Sequence, residues 1–400
     1  MRTAFNRILL LARQPLSPLE DGLNLRVHHL FRELAARHAV SLLYLDEGGA
    51  TGPSGREVSV PFVSTRAIPM RGAEDRSGRL VHNYAPEVGD AVRRFLASTP
   101  VDVVVASTIS MVPYARRIEG IPVVVDLVDA LSLLVFRDMR GETRLLQKLR
   151  LLKRWWWFRR FERREFRSLR HLIVVSPVDA DVVRSRAPGA DVTVIPNGVD
   201  ADYFRPAGTR GERLELAFSG VMGFPPNTKA AIHFYRDVLP RIRRAFPDVH
   251  LTLVGKSPPE ELREIARADP RVTLTGFVPD IRPFLDRAYV YVAPMVSGAG
   301  IKNKILEAWA MAKPVVATPL ACGGLRVVPE ESLLVAKGPE AFARAVIRLL
   351  GDPELRERLG RRAREHVLEH YTWERQALRL EELLQRVCRE GGGLTSPRGS

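Results

Sequence analysis

Residues 192–220 read VTVIPNGVDADYFRPAGTRGERLELAFSG and contain the transition between the two halves of the chain. It begins with a β-branched run that ends in the tight turn Pro196-Asn197-Gly198, and it closes with a second strand-like run that also ends in glycine. Between the two runs, residues 205–212 are rich in Gly, Pro and charge and lack apolar periodicity, which is typical of a linker. We therefore predict a domain boundary here, with a strand-rich domain on each side.

On both sides of this boundary, short β-branched runs alternate with helix-length amphipathic segments. Strands separated by helix-length connections predict parallel sheets with helices on both faces. Because the pattern occurs twice, the fold class is α/β, with two doubly wound Rossmann-like domains. The predicted strands are RILLLA, AVSLLYL, VDVVVAS, IPVVVDLV, HLIVVS and VTVIPNG before the boundary, and LELAFSG, VHLTLVG, RVTLTGFV, AYVYVAPM and KPVVATP after it.

The predicted domains cover residues 1–205 and 206–390. The last helix of the chain is a candidate to pack back on the first domain. Residues 391–400, GGGLTSPRGS, have nothing to pack and are predicted to form a disordered tail.

The composition is that of a globular protein from a reducing compartment. The 400 residues are 46% hydrophobic and 27% charged, which is enough for two sizeable cores. The two cysteines, Cys322 and Cys388, are too few for a disulfide framework or a structural zinc site. The apolar run ILLLA near the N-terminus is too short for a signal peptide, and no apolar run approaches the ~18 residues of a membrane span. We expect a cytoplasmic location.

The net charge of +15 is concentrated in one stretch. Residues 137–170 contain thirteen Lys or Arg and four Asp or Glu. Such a block points to phosphates, whether of nucleic acid, anionic lipid or a phosphorylated substrate. The excess of Arg and Lys, together with Trp155 and Trp157, resembles the composition of an interfacial amphipathic helix. One interpretation is that residues 144–170 contact an anionic membrane. The other is that they form a solvated helix face. Four apolar residues repeat at helical spacing and are predicted to face the core: Leu145, Leu149, Leu152 and Trp156.

The stretch GAGIKNKILEAWAMAKPVVATP, residues 298–319, has an unusual charge arrangement. Lys302 and Lys304 stand at the start of a predicted helix, where the helix dipole makes each cation unfavourable by ~0.3–1 kcal/mol. Either the lysines are solvated, with Lys304 and Glu307 forming a surface pair, or a strongly anionic group binds there.

Several motifs, in the same order along the chain, resemble those of one family. The run PNGVD-x-x-x-F-x-P resembles the interdomain hinge of retaining family 4 glycosyltransferases, and the resemblance continues through LAFSGVMGFPPNTKAAIHFYRDVLPRI, LTLVGKSP and VTLTGFVPDIRPFLDRAYVYVAPM. It is closest to the branch found with bacterial exopolysaccharide gene clusters, whose nucleotide domain reads G-x-M-x-x-x-P-N and G-x-x-N-K-x-L-E-A.

This resemblance implies the GT-B architecture, in which two Rossmann-like domains face each other across a cleft. It implies an enzyme of hexosyltransferase type that moves a sugar from a nucleotide-sugar donor to a glycan or lipid-linked acceptor, with retention of configuration. The second domain would bind the donor and the first the acceptor. No metal and no cofactor are expected, and lysine would supply the positive charge.

The resemblance also implies donor-site residues. Lys302 and Lys304 would neutralise the charge of the diphosphate and would therefore be the catalytic residues. The sequence does not show which of the two contributes more. Glu307 would accept hydrogen bonds from the ribose hydroxyls. The remaining donor-binding candidates are Gly220, Lys256, Phe277, Val278, Gly300, Ile301 and Asn303. The family usually has a further glutamate eight residues before Glu307, and Ala299 stands there instead, so its rules for sugar specificity do not carry over.

In the first domain, the candidates for the acceptor side of the cleft are Gly22, Asn24, Arg26 and Asp126. Asp126 and Asp129 end a predicted strand, and Asp129 matches the aspartate of the family's frequent His-Asp pair, with Val128 in the place of the histidine. Asp129 would orient an acceptor hydroxyl or act as a base; capping a helix is the alternative.

Other functions and sites have less support. A glycosyltransferase-like nucleotide binder without catalysis remains open because of Ala299, whereas a nucleic-acid-binding protein using residues 137–170 lacks any recognisable module. No G-x-G-x-x-G follows the first strand, which argues against a dinucleotide oxidoreductase. The Asp-x-Asp triplets at 179–181 and 200–202 are interpreted as a helix start, capped by Ser176, and as a turn, so no metal ligand is predicted.

Overall fold

The computed structural model describes residues 5–16, 22–46, 60–69, 84–142, 144–208, 211–298 and 300–392. These residues divide into two compact units. The first unit comprises the chain up to Val135, Leu149–Pro196 and the chain from Trp373 onward; the second comprises Phe136–Lys148 and Asn197–Thr372.

The elements of the first half of the chain alternate as the sequence predicts. They are β1 (Arg7–Ala12), α1 (Gly22–Ala35), β2 (Ala39–Asp46), β3 (Ser64–Pro69), α2 (Pro86–Ser98), β4 (Val103–Ser107), α3 (Val112–Ala115), β5 (Val123–Val128), α4 (Leu131–Gly141), α5 (Leu145–Glu165), β6 (His171–Val174), α6 (Pro177–Arg186) and β7 (Asp191–Val194).

The first sheet is parallel and has the order β3-β2-β1-β4-β5-β6-β7. The prediction missed only β3, whose sequence STRAIP is short, mostly exposed and at the sheet edge, so it lacks the apolar run that marks a central strand. The order reverses between β1 and β4. Ligands of such sheets bind at this switch point, outside the carboxyl ends of the strands.

The second half repeats the alternation. Its elements are β8 (Glu215–Ser219), α7 (Pro225–His233), α8 (Leu239–Ala245), β9 (His250–Val254), α9 (Glu260–Ala268), β10 (Val272–Leu274), α10 (Arg282–Arg287), β11 (Val290–Ala293), α11 (Asn303–Ala310), β12 (Val315–Ala317), β13 (Leu334–Val335), α12 (Pro339–Gly351), α13 (Pro353–His370) and α14 (Trp373–Gly392).

The second sheet is also parallel, in the order β10-β9-β8-β11-β12-β13, and its switch point lies between β8 and β11. The prediction missed the two-residue edge strand β13. A continuous core surrounds this sheet and includes the fully buried side chains of Tyr291 and Trp309. Two doubly wound α/β domains are therefore confirmed.

The observed boundary differs from the predicted one. It lies between Pro196 and Asn197 rather than between residues 205 and 206. Val199 donates its amide hydrogen to the Tyr371 carbonyl at 2.7 Å, and the Arg364 guanidinium donates to the Phe204 carbonyl at 3.1 Å. Because both partners belong to the second unit, residues that follow the Pro-Asn-Gly turn fold with that unit.

Helix α14 belongs to the first unit, where it packs against α1. Trp373 stacks on His29 with ring centroids 5.1 Å apart, and Arg37 pairs with Glu381 at 2.9 Å. Leu380 and Leu384 share a core with Leu30 of α1. Of the predicted tail 391–400, Gly391 and Gly392 end α14, and the remainder lies outside the described residues.

The predicted packing of α5 is wrong. Leu145, Leu149, Leu152 and Trp156 are exposed, and the buried residues of α5 are Phe158, Phe161, Glu162 and Glu165. Apolar residues at helical spacing do share one face, but spacing cannot tell whether that face meets a core or solvent. This helix therefore presents an exposed apolar face. No helix in the described part of the chain combines the length and apolar character needed to cross a bilayer.

Candidate functional site

The switch point of the second sheet is lined by glycine turns that hold backbone close together. Gly220 follows β8 with φ 144°, and its amide hydrogen bonds to the Val254 carbonyl at 2.9 Å. Gly255 follows β9 with φ 148°, and a Cβ there would overlap the carbonyl oxygen of Gly220. Glycine is therefore required at both strand ends, because a side chain at either position would overlap a neighbouring group.

Lys304 extends from the first turn of α11 to the end of β8. Its Nζ donates a hydrogen bond to Oδ1 of Asn227 at 2.6 Å and lies 4.3 Å from the centroid of the Phe218 ring. A Cβ at Gly220 would stand 2.8 Å from this Nζ, so only glycine leaves room for the ammonium. The Glu307 carboxylate acts on the Lys304 ammonium electrostatically, but no salt bridge within 4.0 Å joins the two in the described part of the chain. A half-buried ammonium whose hydrogen-bond partner is a neutral amide can bind an anionic ligand.

The segment before α11 places further predicted residues nearby. Lys302 is the residue before the helix, is 9% exposed, and donates from Nζ to the Gly300 carbonyl at 3.2 Å. Asn303 begins α11, and its Oδ1 accepts a hydrogen bond from Asn197 at 3.0 Å. Ile301 packs on the core. Thus Gly300–Lys304 forms one ordered cationic turn, whereas Ala299 lies outside the described residues.

Glu307 stands one turn further along α11, beside Lys304. Its carboxylate is half-buried and makes no hydrogen bond to any other part of the described chain. Burial raises the pKa of Glu307 to about 7, against the lowering effect of the Lys304 ammonium. Burial likewise lowers the pKa of Lys304 to about 7, against the raising effect of Glu307. The pair thus combines an open acceptor with a cation that is incompletely charged near neutral pH.

These pKa directions predict how an anionic ligand binds. A diphosphate favours the charged ammonium, and the fraction of free protein in which Lys304 is charged falls as the pH rises above about 7. We expect affinity for a nucleoside diphosphate to weaken by up to about tenfold per pH unit between pH 7.5 and 9, with proton uptake on binding. Titration calorimetry in two buffers of different ionisation enthalpy measures both quantities; a pH-independent dissociation constant without proton uptake would contradict this.

The other donor-binding candidates lie at neighbouring strand ends. Lys256 follows β9, is half-buried, and accepts the Met222 amide hydrogen on its backbone carbonyl at 2.9 Å. Phe277 and Val278 follow β10, and Gly276 before them has φ 67°. The Phe277 side chain is 75% exposed, so an aromatic ring is free to stack on a planar group.

In the first unit, two of the predicted residues are partners of each other. The Arg26 guanidinium is fully buried, pairs with the Asp126 carboxylate at 2.8 Å, and donates to the Pro196 carbonyl at 3.2 Å. This ion pair connects α1, β5 and the end of β7. The geometry gives both charges a structural role, and their contact with an acceptor stays a prediction.

Asn24 and Gly22 lie at the start of α1. Asn24 is 6% exposed, accepts from Gln14 Nε2 at 2.9 Å, and donates to the Pro15 carbonyl at 3.3 Å. It therefore fixes the turn after β1, beside the first switch point. Gly22 is exposed.

Asp129 stands on a strained and firmly held turn. Val128 before it has φ 66°, which is costly for a β-branched residue and is typical of functional loops. The next amide, of Ala130, donates to the Asp179 carboxylate at 3.0 Å, and Ser132 donates through its amide and hydroxyl to buried Glu162 at 2.8 and 2.6 Å. Asp179 itself lies in the first turn of α6, whose N-cap is Ser176, so that predicted helix start is confirmed.

Sequence reasoning assigned no role in these sites to four residues, although the motif G-x-M-x-x-x-P-N ends at Asn227 and Asp179 was interpreted as part of a helix start. Asn227 and Phe218 hold the Lys304 ammonium, and Glu162 and Asp179 hold the Asp129 turn. A polar residue inside the first turn of a helix, as Asn227 is in PPNTK, is a weak sequence signal. The two carboxylates are distant from Asp129 along the chain, so no sequence signal indicated a contact with its turn. No cluster of three His, Cys, Asp or Glu suited to a metal occurs among the described residues.

Comparison with known proteins relates both halves to glycosyltransferases. Residues 21–203 match the family described as Glycosyltransferase Family 4, and residues 213–352 match the family described as Glycosyl transferases group 1. The phosphatidyl-myo-inositol mannosyltransferase of Mycobacterium leprae is 29% identical over 211 residues, which are 51% of this chain and 56% of that protein. The chain thus spans about half the length of this relative.

Solved structures share the fold. Sucrose-phosphate synthase from Thermosynechococcus elongatus superposes with a TM-score of 0.73 at 19% identity, over 96% of this chain and 100% of that one. Anabaena HepE in complex with UDP gives a TM-score of 0.67 at 16% identity, over 95% and 100%. The two halves of the chain thus each match a glycosyltransferase family and share the fold of solved GT-B glycosyltransferase structures.

Proposed function

We propose that this chain, built of two glycosyltransferase-type domains, is a hexosyltransferase that moves a sugar from a nucleotide-sugar donor to a glycan or lipid-linked acceptor in bacterial exopolysaccharide or cell-surface polysaccharide synthesis. The observation that carries the proposal is the half-buried ammonium of Lys304 at the switch point between β8 and β11. A nucleoside diphosphate offers negative charge that complements this ammonium. The UDP complex of the similar Anabaena protein supports a nucleotide donor.

The reaction we propose needs charge stabilisation more than proton transfer at the donor. As the bond between the sugar and the diphosphate breaks, the β-phosphate gains negative charge. Lys304 and Lys302 stabilise that charge, together with the amide groups at the start of α11. Glu307 offers its open carboxylate to the ribose hydroxyls. We infer that no metal is required because the two ammonium groups supply the positive charge.

Retention of configuration follows from the same chemistry in our proposal. Glu307, the carboxylate among the donor-site candidates, is assigned to the ribose hydroxyls, so we infer that the acceptor attacks the face from which the diphosphate leaves, with the leaving phosphate accepting the proton. In the first unit, Asp129 is the candidate to orient the acceptor hydroxyl. The strained, hydrogen-bonded turn on which it stands supports this role.

We also propose that the protein acts at the cytoplasmic face of an anionic membrane, bound through residues 144–170. The face of α5 formed by the following six residues is exposed, and we call it the α5 face: Leu145, Leu146, Leu149, Leu152, Trp156 and Trp157. Seven exposed basic residues stand on the same helix: Lys148, Arg150, Lys153, Arg154, Arg160, Arg163 and Arg164. Exposed Leu and Trp with abundant Lys and Arg are the composition of a helix that lies in a lipid interface. The lipid named in the mannosyltransferase relative supports a lipid-linked acceptor.

Tryptophan fluorescence tests the membrane proposal directly. Three of the five tryptophans lie on α5, whereas Trp309 and Trp373 are 0% and 3% exposed. We expect emission to shift to the blue with phosphatidylglycerol vesicles and to stay unchanged with phosphatidylcholine vesicles. Leu146→Glu should weaken binding by about tenfold or more, because a buried leucine contributes ~1.5–3 kcal/mol. Leu378→Glu, which changes a residue 43% exposed on α14, is the matched control. Equal binding to both vesicles would refute the proposal.

A turnover assay tests the enzyme activity. Purified protein is incubated with UDP-, GDP-, ADP- and TDP-hexoses and a bacterial lipid extract, and nucleotide release is measured with and without EDTA. We expect release from one donor, unaffected by EDTA, and NMR should show the donor's anomeric configuration in the product. Nucleotide binding without release would identify a non-catalytic binder, and loss of release with EDTA would contradict metal independence.

A further inference from the structure

Asn227, a residue outside the donor-site candidates, uses both ends of its amide inside the site. It is 7% exposed and lies in the first turn of α7. Its Oδ1 accepts the hydrogen bond from Lys304 at 2.6 Å, and its Nδ2 donates to the Val221 carbonyl at 2.9 Å. One side chain therefore connects the cation of α11 to the turn that follows β8.

The residues around the Lys304 ammonium hold its side chain in one orientation. The Phe218 ring lies 4.3 Å away on one side, Asn227 accepts one of the three hydrogens, and Gly220 leaves open space where a side chain would otherwise stand. A long, flexible lysine side chain loses rotamer freedom when it is held like this, so a ligand does not have to order it. The hydrogens that Asn227 does not engage remain available to a ligand.

The amide is chemically suited to this position. A carboxylate would also accept from Lys304, but it would neutralise the ammonium and repel an incoming phosphate. It would also lack the N–H group that reaches the Val221 carbonyl. An apolar residue would leave that carbonyl and the ammonium without their partner. An amide holds the cation without cancelling its charge.

We propose that Asn227 is a positioning residue that aims the Lys304 ammonium at the terminal phosphate of the donor, and that it thereby gives the site its preference for a nucleoside diphosphate over a monophosphate. The inference rests on the proposed function, since it presumes a nucleotide in this site. It goes further by naming the residue that sets phosphate-number specificity.

The test compares affinities for a nucleoside, its monophosphate and its diphosphate, measured by titration calorimetry at pH 7. The full-length protein is used, with the base that binds best to the wild type. We expect Asn227→Ala to lower the ratio of diphosphate to monophosphate affinity by about tenfold and to leave the nucleoside affinity unchanged. A residue that merely supports the fold would lower all three affinities together.

Thr228→Ala is the matched control. The Thr228 hydroxyl donates to the Met222 carbonyl at 2.5 Å, so it holds the same turn, yet no hydrogen bond joins it to Lys304 within the described chain. This variant should keep the wild-type ratio. If Asn227→Ala does not fold, the isosteric variant Asn227→Asp tests the inference instead. It should also lower the ratio of diphosphate to monophosphate affinity about tenfold, because its carboxylate competes with the phosphate for Lys304.

The possible failures are distinguishable. A ratio that falls in Lys304→Ala but stays at the wild-type value in the Asn227 variants would overturn the inference and leave the proposed function intact. A ratio that falls equally in Thr228→Ala would assign the effect to the turn and would also overturn it. Absence of any nucleotide binding by the folded wild type would reject the proposed function itself.

Discussion

Lys304→Ala is expected to weaken binding of the preferred nucleoside diphosphate by about 100-fold and to reduce sugar transfer at least as much. The ammonium is half-buried at the switch point and held between Asn227 and Phe218. A charge-assisted hydrogen bond from this ammonium to a phosphate oxygen contributes ~1.5–3 kcal/mol, which the variant loses. Because the charge on the diphosphate increases in the transition state, the loss in kcat/KM should exceed the loss in affinity. Calorimetry and the nucleotide-release assay measure the two effects.

Lys229→Ala is the control for this prediction. Lys229 lies on α7, is exposed, and carries the same charge two residues from Asn227. A general electrostatic attraction would make the two variants similar, whereas the proposed contact affects Lys304→Ala alone. Retention of wild-type affinity by Lys304→Ala would remove Lys304 from the site and leave Lys302 as the candidate cation.

Arg26→Met is expected to lower the free energy of unfolding of the first unit by about 3–5 kcal/mol, because it leaves the buried Asp126 carboxylate without its partner. The double variant Arg26→Met/Asp126→Asn should recover much of that loss, since the unpaired buried charge is then gone. Urea unfolding followed by circular dichroism measures both. Nucleotide affinity below the unfolding transition should stay at the wild-type value because the donor candidates lie in the other unit.

The same variant distinguishes the two roles open to Arg26. The sequence makes this arginine a candidate for the acceptor side of the cleft, whereas the structure buries it fully in an ion pair. A variant that unfolds like the wild type but loses transfer at saturating donor would favour acceptor contact. A destabilised variant whose KM for acceptor is normal at low temperature would favour the structural role.

Most of the fold could be predicted because central parallel strands are buried on both faces and form continuous apolar runs. The strands missed, β3 and β13, are both at sheet edges, where an exposed or very short strand leaves no such run. The observed domain boundary differs from the predicted one because the prediction used composition, which marks where the chain lacks apolar periodicity. The unit to which the hinge residues belong depends instead on the tertiary contacts of Val199 and Phe204.

For the candidate functional sites, the sequence predicted the motifs that contribute residues but not how the side chains within them are arranged. The two lysines before Glu307 stood out because their charge opposes the helix dipole, but their ranking depends on where each Nζ points, which spacing along a helix does not give. Asn227, Glu162 and Asp179 act through contacts between distant segments. The helical spacing of Leu145, Leu149, Leu152 and Trp156 correctly grouped them on one face but could not show that the face is exposed.

The central claim is that the start of α11 binds a nucleoside diphosphate, and the most direct measurement is a melting-temperature panel with UDP, GDP, ADP, TDP and CMP at millimolar concentration. A ligand at a hundredfold its dissociation constant stabilises the folded state by about 2.7 kcal/mol, which raises the melting temperature by several degrees. We predict such a rise with one diphosphate, and its loss in Lys302→Ala and in Glu307→Ala. An unchanged melting temperature with every nucleotide, from a folded sample, would contradict the account.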